Sequence, residues 1–135
     1  MRKTTLITAC AMAVVAMGAG ALWWNESDSV VVEEATIILP QLATMQVAGK
    51  TLFDANCAAC HGPNATGTDQ GPPLVHIIYE PSHHGDASFY RAVALGARAH
   101  HWRFGNMPAV EGVTEADVAQ IIGYVRALQR ANGIE

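Results

Sequence analysis

One segment of this 135-residue sequence carries more structural information than any other: Cys57-Ala58-Ala59-Cys60-His61. Its two thiols lie three positions apart, which brings them to the same side of a helical turn. An imidazole follows the second thiol directly. The third cysteine of the chain, Cys10, lies in an apolar N-terminal stretch and is interpreted as inert. The segment therefore combines two soft nucleophiles with a nitrogen that can bind a metal.

This spacing is typical of c-type haem attachment. Each thiol can form a thioether with one vinyl group of a haem, and the adjacent imidazole then lies under the iron. We therefore expect one covalent haem c attached through Cys57 and Cys60, with His61 as the proximal ligand of the iron.

Three other kinds of site use paired cysteines, and the sequence favours none of them. A thioredoxin-like redox pair needs a preceding strand and a βαβ pattern, and neither is visible. A four-ligand zinc site needs two more ligands at metal spacing, and the chain has no second C-x-x-C. A structural disulfide between Cys57 and Cys60 would suit an exported protein but leaves His61 unexplained.

A second iron ligand is predicted in the loop Gly105-Asn106-Met107-Pro108. A methionine thioether is soft and neutral, so Met107 opposite a histidine favours ferrous iron and raises the reduction potential. Two alternatives stay open: Met107 is core filler, or a histidine binds the iron in its place. The remaining histidines, which are interpreted as loop residues rather than ligands, are His76, His83, His84, His100 and His101.

Residues 44–133 resemble the class I cytochromes c, the monohaem type found in the bacterial periplasm or anchored to its membrane. The resemblance is carried by the haem segment and by Ala48-Gly49-Lys50-Thr51-Leu52-Phe53, Gly71-Pro72-Pro73-Leu74 and Asn106-Met107-Pro108. It implies an all-α domain of three to five helices wrapped around one haem. It also implies that the carbonyl of Pro72 accepts a hydrogen bond from the proximal histidine.

The apolar pattern independently predicts an all-α domain. An amphipathic stripe runs from Gln46 to Ala59, and a short helix is predicted over 86–95, with Asp86 as its cap and Gly96 as its end. A last helix follows the capping box of Thr114 and Asp117. In the resembling family the first and last helices cross closely, and the candidates for that contact here are Gly49, Phe53, Gly123, Tyr124 and Leu128; alternatively, these residues line separate faces.

The N-terminal segment predicts export. Arg2 and Lys3 precede an uncharged run from residue 4 to residue 24, about the length of a bilayer-spanning helix. Ala19-Gly20-Ala21 fits a signal cleavage site, whereas Trp23 and Trp24 suit a retained membrane anchor; a buried core helix is the third interpretation. We expect residues 1–24 to be a signal peptide or anchor, 25–43 a linker and 44–135 the cytochrome c domain, located in the periplasm as a soluble protein or anchored to the inner membrane.

Charge and composition exclude two classes of protein. Half of the residues are hydrophobic and 15% are charged, which excludes an intrinsically disordered chain. The formal net charge of −4 argues against a nucleic-acid-binding protein, which would need a basic stripe. Close to the Met107 loop, Arg98, Trp102 and Arg103 are candidates for contacts with the haem propionates, because arginine binds carboxylates through two hydrogen bonds; a solvated surface is the alternative.

A site with His61 and Met107 as ligands has no open position on the iron, so it favours electron transfer over catalysis. We expect a one-electron carrier rather than an enzyme, with redox proteins as donor and acceptor bound through small, transient interfaces. One alternative is a dedicated cytochrome subunit of a dehydrogenase or oxidase complex. A haem peroxidase or ligand sensor is another, but the sequence offers no clear distal acid–base pair.

Overall fold

The computed structural model describes residues 36–135 of the chain, and these residues form a helical domain. Its four α-helices are α1 (Thr44–Asn56), α2 (Ala58–His61), α3 (Asp86–Leu95) and α4 (Glu115–Ala131). Two short 3-10 turns, Pro63–Ala65 and Ile77–Tyr79, lie in the loops. No strand occurs within the described range, where the β-type pairing is a single antiparallel bridge between Ala97 and Met107. The all-α prediction is confirmed.

The described range begins inside the predicted linker. The predicted signal peptide or anchor (1–24) and residues 25–35 of the linker lie outside it. Residues 36–43 run along the domain, where Ile37 and Leu42 pack against the core. The Asn132 side chain accepts a hydrogen bond from the Ile38 amide at 2.7 Å and donates to the Ile38 carbonyl at 2.9 Å, so this segment is fastened to the end of α4. None of the helices in residues 36–135 is long and apolar enough to cross a membrane.

Helices α1 and α4 cross with their backbones almost in contact. A Cβ atom on Gly49 would lie 2.0 Å from the carbonyl oxygen of Gln120, so only glycine fits at this point. Beside it, the rings of Phe53 and Tyr124 pack edge to face with centroids 5.6 Å apart. The predicted crossing is confirmed at these residues. It is wrong for Gly123, where a Cβ atom would meet no atom within 4 Å, because this glycine borders a small hollow beside Met45 and Gln46 of α1 instead of contacting that helix.

The core gathers around this crossing. Its fully buried members are Phe53, Ala65, Ile121, Tyr124, Val125 and Leu128. The Tyr124 hydroxyl donates to Asn64 Oδ1 at 3.1 Å, which ties the first 3-10 turn to α4. Burial, together with the charge of Asp54, raises the pKa of Tyr124 to about 12, so the hydroxyl keeps the proton it donates.

The helix ends match the sequence pattern, with two differences. Thr114 and Asp117 form the predicted capping box, in which Thr114 Oγ1 accepts from the Asp117 amide at 3.2 Å and Asp117 Oδ2 accepts from the Thr114 amide at 3.0 Å. Helix α3 is capped by Gly85 rather than by Asp86, whose carboxylate instead accepts from Arg126. The predicted helix over 46–59 is broken at Cys57, whose backbone angles (φ −123°, ψ −34°) redirect the chain into α2.

Substitution of the two helix glycines tests the crossing. Gly49→Ala should lower the free energy of unfolding by about 3 kcal/mol or more, because backbone atoms of α4 occupy the space that the methyl group needs. Gly123→Ala should raise it by about 0.5–1 kcal/mol, because alanine favours the helix and meets no neighbour. Denaturant unfolding of the holoprotein followed by far-ultraviolet circular dichroism measures both values. Equal effects of the two substitutions would contradict the close approach at Gly49.

Candidate haem site

A cavity of about 620 Å³ opens between α1, α3, α4 and the loops around His61 and Met107. Its volume lies in the range of pockets that enclose organic cofactors. The helices contribute mostly apolar side chains to its wall: Phe53, Phe89, Ala92, Val93, Val118 and Ile121. Such a wall excludes water from whatever the cavity binds and lowers the local dielectric constant.

His61 lies in the wall with one ring nitrogen already bonded. Its Nδ1 is 2.9 Å from the carbonyl oxygen of Pro72. Because a carbonyl can only accept, the ring proton lies on Nδ1 and the lone pair on Nε2 stays free. Burial lowers the pKa of His61, partly opposed by this hydrogen bond, so the imidazole is neutral near pH 7. A neutral imidazole with one free nitrogen is the form that binds a metal ion.

The loop that carries Pro72 is wrapped tightly around α2. The Gly67 amide donates to the His61 carbonyl at 2.6 Å, and Thr68 Oγ1 donates to the Cys60 carbonyl at 2.6 Å. Gly71 packs so closely that a Cβ atom there would lie 2.9 Å from the Cys60 carbonyl oxygen. The Pro72 carbonyl is therefore held at a fixed position relative to the imidazole.

The two cysteines of the segment differ in exposure. Cys57 is half-buried and lines the cavity, whereas Cys60 is exposed and is not among the lining residues. Burial and the neighbouring Cys60 raise the pKa of the Cys57 thiol to about 11, so it is protonated near pH 7. The two cysteines are not joined in a disulfide bond, and Cys57 lies in the wall that also holds His61.

Met107 enters the same cavity from the loop after α3. Its backbone forms both hydrogen bonds of the isolated bridge with Ala97, at 2.9 and 3.0 Å. Asn106 Oδ1 accepts from the Ala99 amide at 3.0 Å and stiffens the same loop. Gly96, at φ +75°, passes so close that a Cβ atom there would lie 2.4 Å from the Met107 carbonyl oxygen. The methionine backbone is thus fastened to the end of α3.

Trp102 brings a polar group to the cavity that has no partner in residues 36–135. Its Nε1 is buried and makes no hydrogen bond. Burial raises the pKa of the Tyr79 phenol, and the nearby Trp102 N–H partly opposes this shift, but the two groups are not joined by a hydrogen bond. Arg98 also lines the cavity, whereas Arg103 is exposed and is not among the lining residues. A buried donor without an acceptor favours a bound group that carries a hydrogen-bond acceptor.

The structure brings four of the remaining histidines together, which the sequence did not predict. His83, His84, His100 and His101 come from two loops and all line the cavity. His76 lies apart from them: its Nδ1 accepts from the Ile78 amide at 3.2 Å, and its ring packs against Trp102. These loops have no periodicity in sequence, so no pattern indicated the contact.

The role of Arg126, which holds together the elements on one side of the site, was not predicted from the sequence either. This buried side chain donates to Asp86 Oδ1, to the carbonyls of Tyr79 and His84, and to Gln129 Oε1. The bonds join α4 to the start of α3 and to the loop that precedes α3. A signal was present, because Arg126 follows Ile122 by four positions and so lies next to the apolar stripe of its helix.

The comparison with known protein families agrees with this geometry. The cytochrome c family model matches residues 46–129. The chain belongs to the cytochrome c family. Membership implies a covalently bound c-type haem with its iron. The residues present fit this group, since the cysteine pair, the histidine with a free nitrogen and the unpartnered Trp102 N–H lie in or beside one cavity of suitable volume.

Three relatives illustrate the range of proteins that contain such a domain. This cytochrome is 36% identical over 93 residues to the cytochrome bc1 complex cytochrome c subunit of Mycobacterium tuberculosis, covering 63% of this chain and 27% of that protein. It is 37% identical over 89 residues to the cbb3-type cytochrome c oxidase subunit CcoP of Cereibacter sphaeroides, covering 64% and 28%. It is 31% identical over 94 residues to cytochrome c-554(547) of Halothiobacillus neapolitanus, covering 61% of this chain and 94% of that protein.

The chain therefore spans about a quarter of the length of the first two relatives and nearly all of the third. No solved structure matches it significantly.

Removal of the Arg126 side chain tests its organising role. Arg126→Ala should lower the free energy of unfolding by about 3 kcal/mol, because buried acceptors on two loops lose their donor. The ion pair with Asp86 contributes little of this, since the Asp86 side chain is 61% exposed; Asp86→Asn should cost about 1 kcal/mol or less. Thermal unfolding of the holoprotein measures both. Arg130→Ala, at an exposed position of the same helix, is the matched control and should change stability by about 0.5 kcal/mol or less.

Proposed function

We propose that this cytochrome is a one-electron carrier in which Cys57 and Cys60 attach one haem and His61 and Met107 bind its iron. The observation that carries the proposal is that the free Nε2 nitrogen of His61 and the side chain of Met107 belong to one cavity. With the His61 imidazole and the Met107 thioether both bound, the iron would have no coordination position left for a substrate. Electron transfer is then the chemistry that remains.

The protein's contribution is to hold the two ligands in place and keep their surroundings dry. The haem iron supplies the one-electron change between the ferrous and ferric states. The Pro72 carbonyl fixes the His61 tautomer and increases the basicity of its free nitrogen. The neutral Met107 sulfur and the apolar wall both favour the reduced state, which raises the potential. Since the Ala97 bridge holds the Met107 backbone, this residue would move little when a bound iron changed its oxidation state.

Arg98 and Trp102 suit the acidic edge of the haem. Both line the cavity, and the unpartnered Trp102 N–H would donate to a propionate oxygen. Arg98 would pair with a propionate through its guanidinium group, at an exposed position where such a pair contributes little to stability. The exposed Arg103 is supported more weakly, because it does not line the cavity.

The partners proposed are redox proteins that donate and accept single electrons, and no nucleic acid or chemical substrate is involved. Small, transient interfaces suit such exchange. The N-terminal sequence supports export to the periplasm, as a soluble protein or anchored to the inner membrane through residues 4–24. A second candidate is a dedicated subunit of a respiratory complex, which is favoured by the names of the bc1 and cbb3 relatives. Cytochrome c-554(547), which this chain nearly spans, favours a small separate carrier.

The optical spectrum of the exported, purified chain tests the proposal. The haem should stay on the chain after denaturing extraction, and the reduced protein should show sharp bands. The ferric protein should show the weak far-red absorption of a sulfur-to-iron bond. Met107→Leu should abolish this far-red band and lower the reduction potential, whereas Met45→Leu, at a position that is 65% exposed in α1, should preserve both.

Other outcomes would overturn parts of the proposal. Covalent haem without the sulfur band in the wild-type protein would exclude Met107 as the ligand. Rapid binding of carbon monoxide or turnover of peroxide would replace the carrier with the peroxidase or sensor alternative. Stable co-purification with a respiratory complex at high salt would replace the free carrier with the complex subunit.

A substitution at Gly96 tests how the methionine is positioned. Gly96→Ala should weaken the far-red band, because the new methyl group needs the space of the Met107 carbonyl. Gly112→Ala is the matched control: Gly112 also has a positive φ, of +78°, but a Cβ atom there meets no atom within 4 Å. The control should cost about 1 kcal/mol of stability from backbone strain and leave the band intact. Equal loss of the band in both variants would contradict a specific role for the Gly96 contact.

A further inference from the structure

Four histidines at the mouth of the cavity form one continuous cluster. His83 and His84 precede α3, and His100 and His101 precede the Met107 loop. The ring centroids of His83 and His101 are 5.2 Å apart, and those of His84 and His101 are also 5.2 Å apart. His83 and His101 are exposed and His84 is half-buried, so the cluster can be reached from solvent.

Three of these rings point a nitrogen toward a common centre. The ligand nitrogens of His83, His84 and His101 all lie within 4.8 Å of one another. Of these, Nε2 of His83 and Nε2 of His101 are 3.2 Å apart. Two nitrogens bound tetrahedrally to one zinc ion at about 2.0–2.1 Å are separated by roughly 3.3 Å. This pair already has the spacing that a shared zinc ion requires.

His84 is prepared for the same role by its surroundings. Its Nδ1 donates to the Ile78 carbonyl at 2.7 Å, which leaves the Nε2 lone pair free. A ligand histidine in a metal site almost always has its other nitrogen bonded in this way. Its backbone is held as well, since its carbonyl accepts from the buried Arg126 at 2.5 Å and its amide donates to the Glu80 carbonyl at 2.8 Å.

The geometry points to a zinc site formed by His83, His84 and His101, with solvent as the fourth ligand. Three imidazoles suit Zn²⁺ because this ion is borderline soft and has no strict geometric demand. Within residues 36–135, the group of potential metal ligands at this place contains histidines alone, so hard cations that need oxygen ligands are disfavoured. His100 belongs to the cluster as a packing residue, since its ring lies against that of His101, with centroids 4.1 Å apart, but it is not one of the three residues whose ligand nitrogens converge.

This site is separate from the iron ligands proposed above. It uses neither His61 nor Met107, and it rests on the proposed function in one respect: Met107, rather than one of these three histidines, binds the iron. Failure of the zinc site and failure of the electron-carrier function are therefore distinguishable in one set of proteins.

Zinc titration of the holoprotein tests the inference. The purified cytochrome, freed of adventitious metal by dialysis against a chelator, is titrated with Zn²⁺ by calorimetry and in competition with a chromophoric chelator. The wild-type protein should bind one zinc ion per chain. His83→Asn and His101→Asn should each weaken binding at least about tenfold, because a three-ligand site loses one bond.

Two further variants test whether zinc binding is specific to the three proposed ligands rather than common to other histidines of the protein. His100→Asn should keep its affinity within about threefold, since its ring is not one of the three ligands. His76→Asn should leave binding unchanged, and its side chain can still accept from the Ile78 amide. The haem spectrum of every variant confirms that the holoprotein is folded, and zinc should leave that spectrum unchanged.

The inference would be overturned if the wild-type protein showed no saturable zinc binding, or if the wild-type and His101→Asn proteins bound zinc with equal affinity. It would also be overturned if zinc removed a histidine from the iron, which the loss of the low-spin spectrum would reveal.

Discussion

The contact of two helix backbones at Gly49 is the constraint on which the rest of the domain depends. Helix α1 can approach α4 this closely only because no side chain stands between Gly49 and the Gln120 carbonyl. The approach buries Phe53 against Tyr124 and fixes the direction in which α1 delivers the chain to Cys57. A helix pair held further apart would move the haem-attachment segment away from the wall that α4 supplies. The position and shape of the haem cavity therefore depend on Gly49 as well as on the residues that line the cavity.

Buried polar side chains hold the loops in place, as the Gly49 contact holds the helices together. A long connection joins α2 to α3 without a strand, so its carbonyls need donors from elsewhere. Gln129 donates to the Leu74 and Tyr79 carbonyls at 2.8 and 3.0 Å, and Arg126 binds the carbonyls of Tyr79 and His84. The free-energy cost of burying Gln129 and Arg126 is offset by these hydrogen bonds, which hold the connection between α2 and α3 against the cavity.

Local patterns predicted more of the structure than long-range contacts did. The periodic apolar stripe and the capping box predicted α4, and the sequence pattern of 86–95 predicted the bounds of α3. Both predictions succeeded because each helix depends on residues only a few positions apart. The cap of α3 was predicted wrongly because Asp86 is drawn to Arg126, forty positions later. The contact between His83 and His101 joins two irregular loops, for which periodicity offers no guide. The proposed roles of His61 and Met107 come from motif chemistry, which could not show that Cys60 lies outside the cavity wall.

The bridge between Ala97 and Met107 closes the loop 98–106 at its base. Because the two hydrogen bonds hold the methionine backbone at that base, changes of length further out need not displace it. A doubling of such a loop costs only about 0.6 kcal/mol in closure entropy. Insertions and new side chains can therefore accumulate in this loop during evolution while the methionine stays in place. Away from Arg98 and Trp102, which line the cavity, surface recognition can diversify without moving Met107, although both occupy a single stretch of chain.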